Sequence, residues 1–184
     1  MGLSLLLTAS IFLSGCKLQY ASEDFNMAVT PEGAGKLTVY YQYIGTEETL
    51  NYLKGKDLDT LKDLANNPEH IKDASEKNVK LISRRLDFVD FSVHANVEAE
   101  AGDYKKLFDV FTNYKLEVAD KIYITPLNGT VSKATLSDGG KIIIRNNKYT
   151  FAWPLETADI SFKASYRVTG TRFILDFGGA PKKN

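Results

Sequence analysis

A chain of 184 residues has room for one domain built around a single sizeable core. Its hydrophobic fraction of 43% and charged fraction of 25% exclude a disordered chain. Lys+Arg and Asp+Glu stand at 23 each, so no net field draws the molecule to nucleic acid, and no nucleic-acid partner is expected.

Residues 1–15 contain no Lys, Arg, Asp or Glu. The apolar run falls short of the roughly 20 residues of a membrane span, but it suits the apolar part of a secretory signal. It closes on Leu13-Ser14-Gly15-Cys16, where an aliphatic residue and two small ones precede the only cysteine. With no second thiol, an intramolecular disulfide is impossible. This tetrad resembles the lipobox of bacterial lipoproteins. The resemblance implies that Cys16 becomes a diacylglyceryl thioether, that cleavage follows Gly15, and that palmitate-type acyl chains tether the protein to a cell-envelope membrane. Two or three such chains, at about 0.8 kcal/mol per buried methylene, make a stable anchor. Lys17 stands where an Asp would signal inner-membrane retention, which by resemblance favours the outer membrane where the source has one. No Lys or Arg precedes the run, so either the natural start lies upstream of Met1 or the sequence is clipped.

The organisation expected from these features is a signal peptide over 1–15, a lipidated cysteine and tether over 16–36, one domain over 37–177 and a loose tail over 178–184. The tether holds at most one short strand, because Ser22-Glu23-Asp24 and the turn-rich residues 30–35 cannot sustain a helix. Residues 37–44, rich in aromatic and β-branched side chains, predict a strand. Leucines spaced by three over 57–65 predict a short helix that Pro68 ends, and 69–78 predicts a further turn or two.

Residues 89–100 alternate strictly. Val89, Phe91, Val93, Ala95, Val97 and Ala99 take one face, and Asp90, Ser92, His94, Asn96, Glu98 and Glu100 the other. One long strand of an antiparallel sheet is expected, dry on one side and wet on the other. Asp103 is placed to cap a helix over 104–114, whose Tyr104, Leu107, Phe108, Phe111 and Tyr114 form an apolar stripe. Strands are then expected over 116–124, 130–136, 141–145, 149–153 and 160–168, with hairpin turns at Asn128-Gly129, at 137–140 and at Asn146-Asn147. The predicted fold class is α+β, a curved antiparallel meander packed on one main amphipathic helix, plus a short helix. This layout is similar to that of lipid-binding lipoproteins of the mycobacterial envelope, with a lipobox before a sheet-rich domain and a Trp-bearing strand near its end.

Chemistry is sparse. The histidines are His70 and His94. His94 is expected as an exposed strand residue, with a role as base or ligand beside the acidic Asp90, Glu98, Glu100 and Asp103 as the alternative. No metal-ligand spacing, phosphate loop, nucleophile elbow or cofactor motif occurs, so neither an enzyme nor a cofactor is expected. The remaining clue is aromatic content. Phe108, Phe111, Tyr149, Phe151 and Trp153 are candidates to line a groove between helix and sheet for a lipid or other apolar ligand. Tyr40, sharing a face with Thr38 and Gln42, is the candidate partner surface. The expected role is a membrane-anchored, non-enzymatic binding module, with an envelope protein gripped through an exposed strand as the second reading.

Overall fold

The computed structural model describes residues 18–46, 66, 68–89, 92–111, 114–127, 130–145 and 148–167. The lipobox-like tetrad, the predicted helix over 57–65 and the expected tail lie outside them. Ten strands are described: β1 (Leu18–Val29), β2 (Gly35–Thr46), β3 (Val79–Val89), β4 (Ser92–Ala101), β5 (Tyr114–Val118), β6 (Ile122–Pro126), β7 (Val131–Leu136), β8 (Lys141–Arg145), β9 (Lys148–Trp153) and β10 (Asp159–Tyr166). Two short helices accompany them, α1 (Pro68–Glu76) and α2 (Lys105–Phe111). The strands form two antiparallel sheets, a six-stranded one in the order β3-β4-β2-β1-β10-β7 and a four-stranded one in the order β5-β6-β9-β8.

This overturns the expected fold class. Among the described residues no main amphipathic helix exists, and the core is closed by a second sheet instead. The cap on α2 forms as expected, with the Lys105 amide donating to Asp103 Oδ1 at 3.0 Å. The helix nevertheless spans only seven residues, because Tyr114 is taken as the first residue of β5. Two turns cannot cover a sheet. They bury Leu107, Phe108 and Val110 at one end of the core, and β5, β6 and β9 roof the rest.

The expected tether contains the largest surprise. Residues 18–29 form a twelve-residue strand between β2 and β10. Its alternation is complete from Glu23, with Glu23, Phe25 and Met27 buried and Asn26 and Ala28 exposed. Residues 89–100 are likewise not one strand. Val89 ends β3, Ser92 opens β4, and the two pair with each other. The strand β3 escaped notice because Lys80, Arg84, Arg85 and Asp87 blur its period. As an edge strand it has no need of two apolar rows.

The segment expected as one strand over 116–124 is the β5–β6 hairpin, folded back at residues 119–121 with the Ala119 amide on the Lys121 carbonyl. The turn at 137–140 forms, with Gly139 at φ 77° and the Gly140 amide on the Ser137 carbonyl. It joins β7 of one sheet to β8 of the other, so it is a corner rather than a hairpin. Ser137 pins that corner, because its Oγ accepts from Trp153 Nε1 and from the Ser161 amide, both at 3.1 Å.

Aromatic rings fill the space between the sheets. Phe25 stacks on Phe162 with centroids 4.6 Å apart, and Phe162 meets Phe151 at 4.8 Å and Tyr114 at 5.1 Å. Trp153, Phe151 and Phe25 are fully enclosed. Two irregularities set which side chains join them. Tyr43 adopts φ 55°, a left-handed conformation that costs a non-glycine residue energy. The register of β2 on β4 slips there, between Tyr41 and Ile44, so that both of those residues face inward. A second slip, where β7 skips Ser132 opposite the Ser165–Tyr166 step, turns Val131 inward at the end of that strand.

Candidate functional site

The six-stranded sheet has an inner and an outer face, and each carries a cluster that simple packing does not explain. On the outer face Tyr40 Oη and His94 Nδ1 share a hydrogen bond of 2.7 Å. Tyr43, thrown outward by its bulge, lies with its ring centroid 5.1 Å from that of His94, and Tyr40 lies at 5.4 Å. The two rings cover the imidazole and leave it 5% exposed. The expectation of a solvated strand histidine is therefore corrected. His94 does occupy the outward position that alternation gives it, but tyrosines from the neighbouring strand roof it over.

Beside this cluster runs a polar chain. Ser22 Oγ donates to Gln42 Oε1 at 2.8 Å, Gln42 Nε2 donates to Asp24 Oδ2 at 3.4 Å, and Lys163 Nζ lies 3.2 Å from Asp24 Oδ1. Arg85 pairs with Asp87 at 3.3 Å on the adjoining edge strand. Partial burial, and then the Asp87 charge, hold the Tyr40 phenol above its ordinary range, so it stays a neutral hydrogen-bonding group.

The inner face holds a buried carboxyl. Glu23 is 1% exposed, paired across the ladder with Tyr41 on one side and Ala164 on the other. Tyr20, Tyr41, Tyr114 and Tyr166 gather around it. Tyr20 lies 4.8 Å from Tyr41 and 5.2 Å from Tyr166, and the hydroxyls of Tyr114 and Tyr166 hydrogen-bond. Burial pushes the Glu23 carboxyl up to about 7. The nearby Tyr114 and Tyr20 hydroxyls lower it in part, although neither carboxyl oxygen closes a well-formed hydrogen bond. Burial, and then the Glu23 charge, drive the Tyr114 phenol far above its usual range. A proton on Glu23 is what such an enclosure favours.

The groove candidates are scattered by this arrangement. Phe108, Phe151 and Trp153 belong to the shared core, whereas Tyr149 is about half exposed on β9. Phe111 closes α2, and nothing further is described of its side chain. Of the acidic cluster, Glu98 and Glu100 lie on β4 with Glu100 bound to Lys80 at 2.6 Å, and Asp103 serves as the helix cap. Asp90 lies outside the described residues. Among the described residues, no group of three or more His, Cys, Asp and Glu is placed to hold a metal ion. Sequence reading missed Glu23 entirely. The signal was present in its place two residues before Phe25 and four before Met27, but a charged residue in a presumed tether looks solvated.

Comparison with family models, with curated proteins and with solved structures finds no match for the chain.

Proposed function

We propose that the chain is a bacterial envelope lipoprotein, held to a membrane through acyl chains on Cys16. Its domain acts as a non-enzymatic module that engages an envelope protein through the outer face of the six-stranded sheet. The observation that carries the second half is the Tyr40–His94–Tyr43 cluster. It is a rigid aromatic and hydrogen-bonding surface on a sheet face that would otherwise need only charges to stay soluble. Tyrosines held in place suit such contacts, since they offer apolar area and a polar tip at low entropic cost. The helix-and-sheet groove loses its support, because Phe108, Phe151 and Trp153 are committed to the core.

Support for the first half comes from Leu13-Ser14-Gly15-Cys16 and the charge-free run before it. Two measurements test the reading together. Detergent phase separation of the native protein is expected to send it to the detergent phase, with fatty mass on the Cys16 peptide, and Cys16→Ser is expected to return it to water. Crosslinking in intact cells is expected to capture a discrete envelope partner that disappears with Tyr40→Asp, while the circular-dichroism spectrum of that variant is unchanged. An aqueous native protein overturns the anchor, and a partner unaffected by Tyr40→Asp overturns the interaction face.

A further inference from the structure

The lipobox cysteine and the first strand are almost contiguous. Cys16 is separated from Leu18, the first residue of β1, by Lys17 alone. At about 3.3 Å per residue, Leu18 lies within roughly 7 Å of the lipidated position, comparable to the depth of a headgroup layer. No tether intervenes. The turn that joins β1 to β2 closes with the Gly33 amide on the Thr30 carbonyl, and it lies at the other end of β1. That end is on the order of 40 Å away along a twelve-residue strand.

The anchored end is also where apolar side chains collect in the open. Tyr20, Ile44, Val93 and Phe88 form one row across β1, β2, β4 and β3. The two middle residues are buried, but Phe88 on the edge strand is 54% exposed, and Val89 beyond it is exposed as well. The four-stranded sheet approaches this end through Tyr114, whose hydroxyl bonds that of Tyr166, the ring packed on Tyr20. Tyr114 pairs with Pro126, after which Leu127 is exposed. Tyr149 and its cross-strand partner Ile144 lie on the Tyr114 side of the Ile124–Phe151–Ile142 row, and Ile144 is 73% exposed. Exposed Lys148 and Arg167 flank these residues. A rim of aromatic and aliphatic groups with basic neighbours is the composition that partitions into a bilayer interface.

We infer that this rim, carrying Phe88, Val89, Leu127, Ile144 and Tyr149, is a membrane-docking surface that seats the domain directly on the lipid bilayer. The inference rests on the anchoring of Cys16 proposed above. Docking would fix the orientation of the module, so that the Tyr40 face stands along the membrane normal rather than sweeping freely. Apolar rim contacts add buried area to that of the acyl chains and strengthen retention.

The test uses the full chain, purified from bacterial membranes and placed in vesicles of phosphatidylethanolamine and phosphatidylglycerol. Lipidation consumes the Cys16 thiol, so Phe88→Cys or Glu32→Cys supplies the only reactive thiol for an environment-sensitive fluorophore. Nitroxide-bearing lipids are expected to quench the label at residue 88 severalfold more than the label at residue 32, which sits in the far turn. Ile144→Asp in the Phe88→Cys background is expected to reduce that difference, which tethering alone would not do. If the Cys16 peptide carries no fatty mass, anchor and rim fall together. If it is lipidated but the two labels quench alike, or if Ile144→Asp changes nothing, the anchor stands and the rim alone is overturned. A label at residue 88 that is shielded from water but not quenched by the lipid probes marks a protein on the rim and also overturns the proposal.

Discussion

Two neighbouring steps of one ladder meet opposite fates. Glu23 pairs with Tyr41, and the next step pairs Asp24 with Tyr40. Each step couples an acid to a tyrosine, yet Glu23 and Tyr41 are sealed between the sheets while Asp24 bonds Gln42 and Lys163 and Tyr40 bonds His94. The difference comes from the two-residue period of a strand and from nothing in the side chains themselves. It teaches that on this sheet the same chemistry becomes a buried proton site or an outward contact according to parity. The inner step is expected to control stability, and the outer step recognition.

The largest effects expected from this contrast lie on the inner face. Phe25 contacts Phe108, Phe162 and Tyr114. Phe25→Ala is expected to cost about 3–5 kcal/mol through lost burial and a residual cavity. Asn26→Ala, one position along and exposed, is expected to change stability by no more than about 0.5 kcal/mol. Urea midpoints of the two variants measure the contrast directly. Equal losses would mean that the two faces are not energetically distinct.

Glu23 sharpens the comparison through pH. Its carboxyl is raised in the folded protein to about 7 from 4.5. The folded state therefore holds a proton that the unfolded chain has already released between those values. Stability contributed by the neutral form is complete below pH 4.5, declines as pH rises, and is lost above about 7. Glu23→Gln, neutral at every pH, is expected to remove that slope and to exceed the native protein above pH 7 by roughly 3 kcal/mol. Thermal unfolding at pH 5 and pH 8 checks both the sign and the size.

Gly35 sits on the same inner parity as Leu37, Val39 and Tyr41, against Tyr104 at the entry to α2 and Leu107 within it. A Cβ there would collide with the Tyr104 Cβ and lie 2.9 Å from its Cα. Gly35→Ala is thus expected to lose about 1–3 kcal/mol, the usual penalty of overpacking, read as a lower melting temperature. A neutral result would show that α2 can slide on the sheet.

Parity was largely legible in the sequence where the alternation was clean, and the Tyr40 face was recognisable from Thr38 and Gln42 beside it. It failed over residues 18–29 because an acid at an inward position interrupts the apolar row that defines a buried strand. It also failed where partners are set by tertiary structure. The corner at Ser137–Gly140 has ordinary hairpin chemistry, and only the sheet assignment of β8 distinguishes it. The second sheet, which replaces the expected helix as the lid of the core, is a matter of long-range pairing. Neither Leu116 nor Ile124 announces that a turn of three residues divides them. The covering of His94 depends on the left-handed backbone of Tyr43, which the composition of residues 37–44 does not reveal.

Among the changes that remove an interaction, the smallest expected effect belongs to the outer step. Tyr40→Phe keeps the ring over His94 and removes only the 2.7 Å hydrogen bond. A half-buried neutral hydrogen bond contributes about 0.5–1.5 kcal/mol net, so the urea midpoint should drop only slightly. The change in partner capture is expected to be far larger than the change in stability, because an outward surface is read by what it presents rather than by how firmly it is held. If Tyr40→Phe costs as much stability as Phe25→Ala, the hydroxyl is part of the scaffold. The outer face would then lose its standing as a recognition surface, and the contrast between the two ladder steps would reduce to a difference in solvent access.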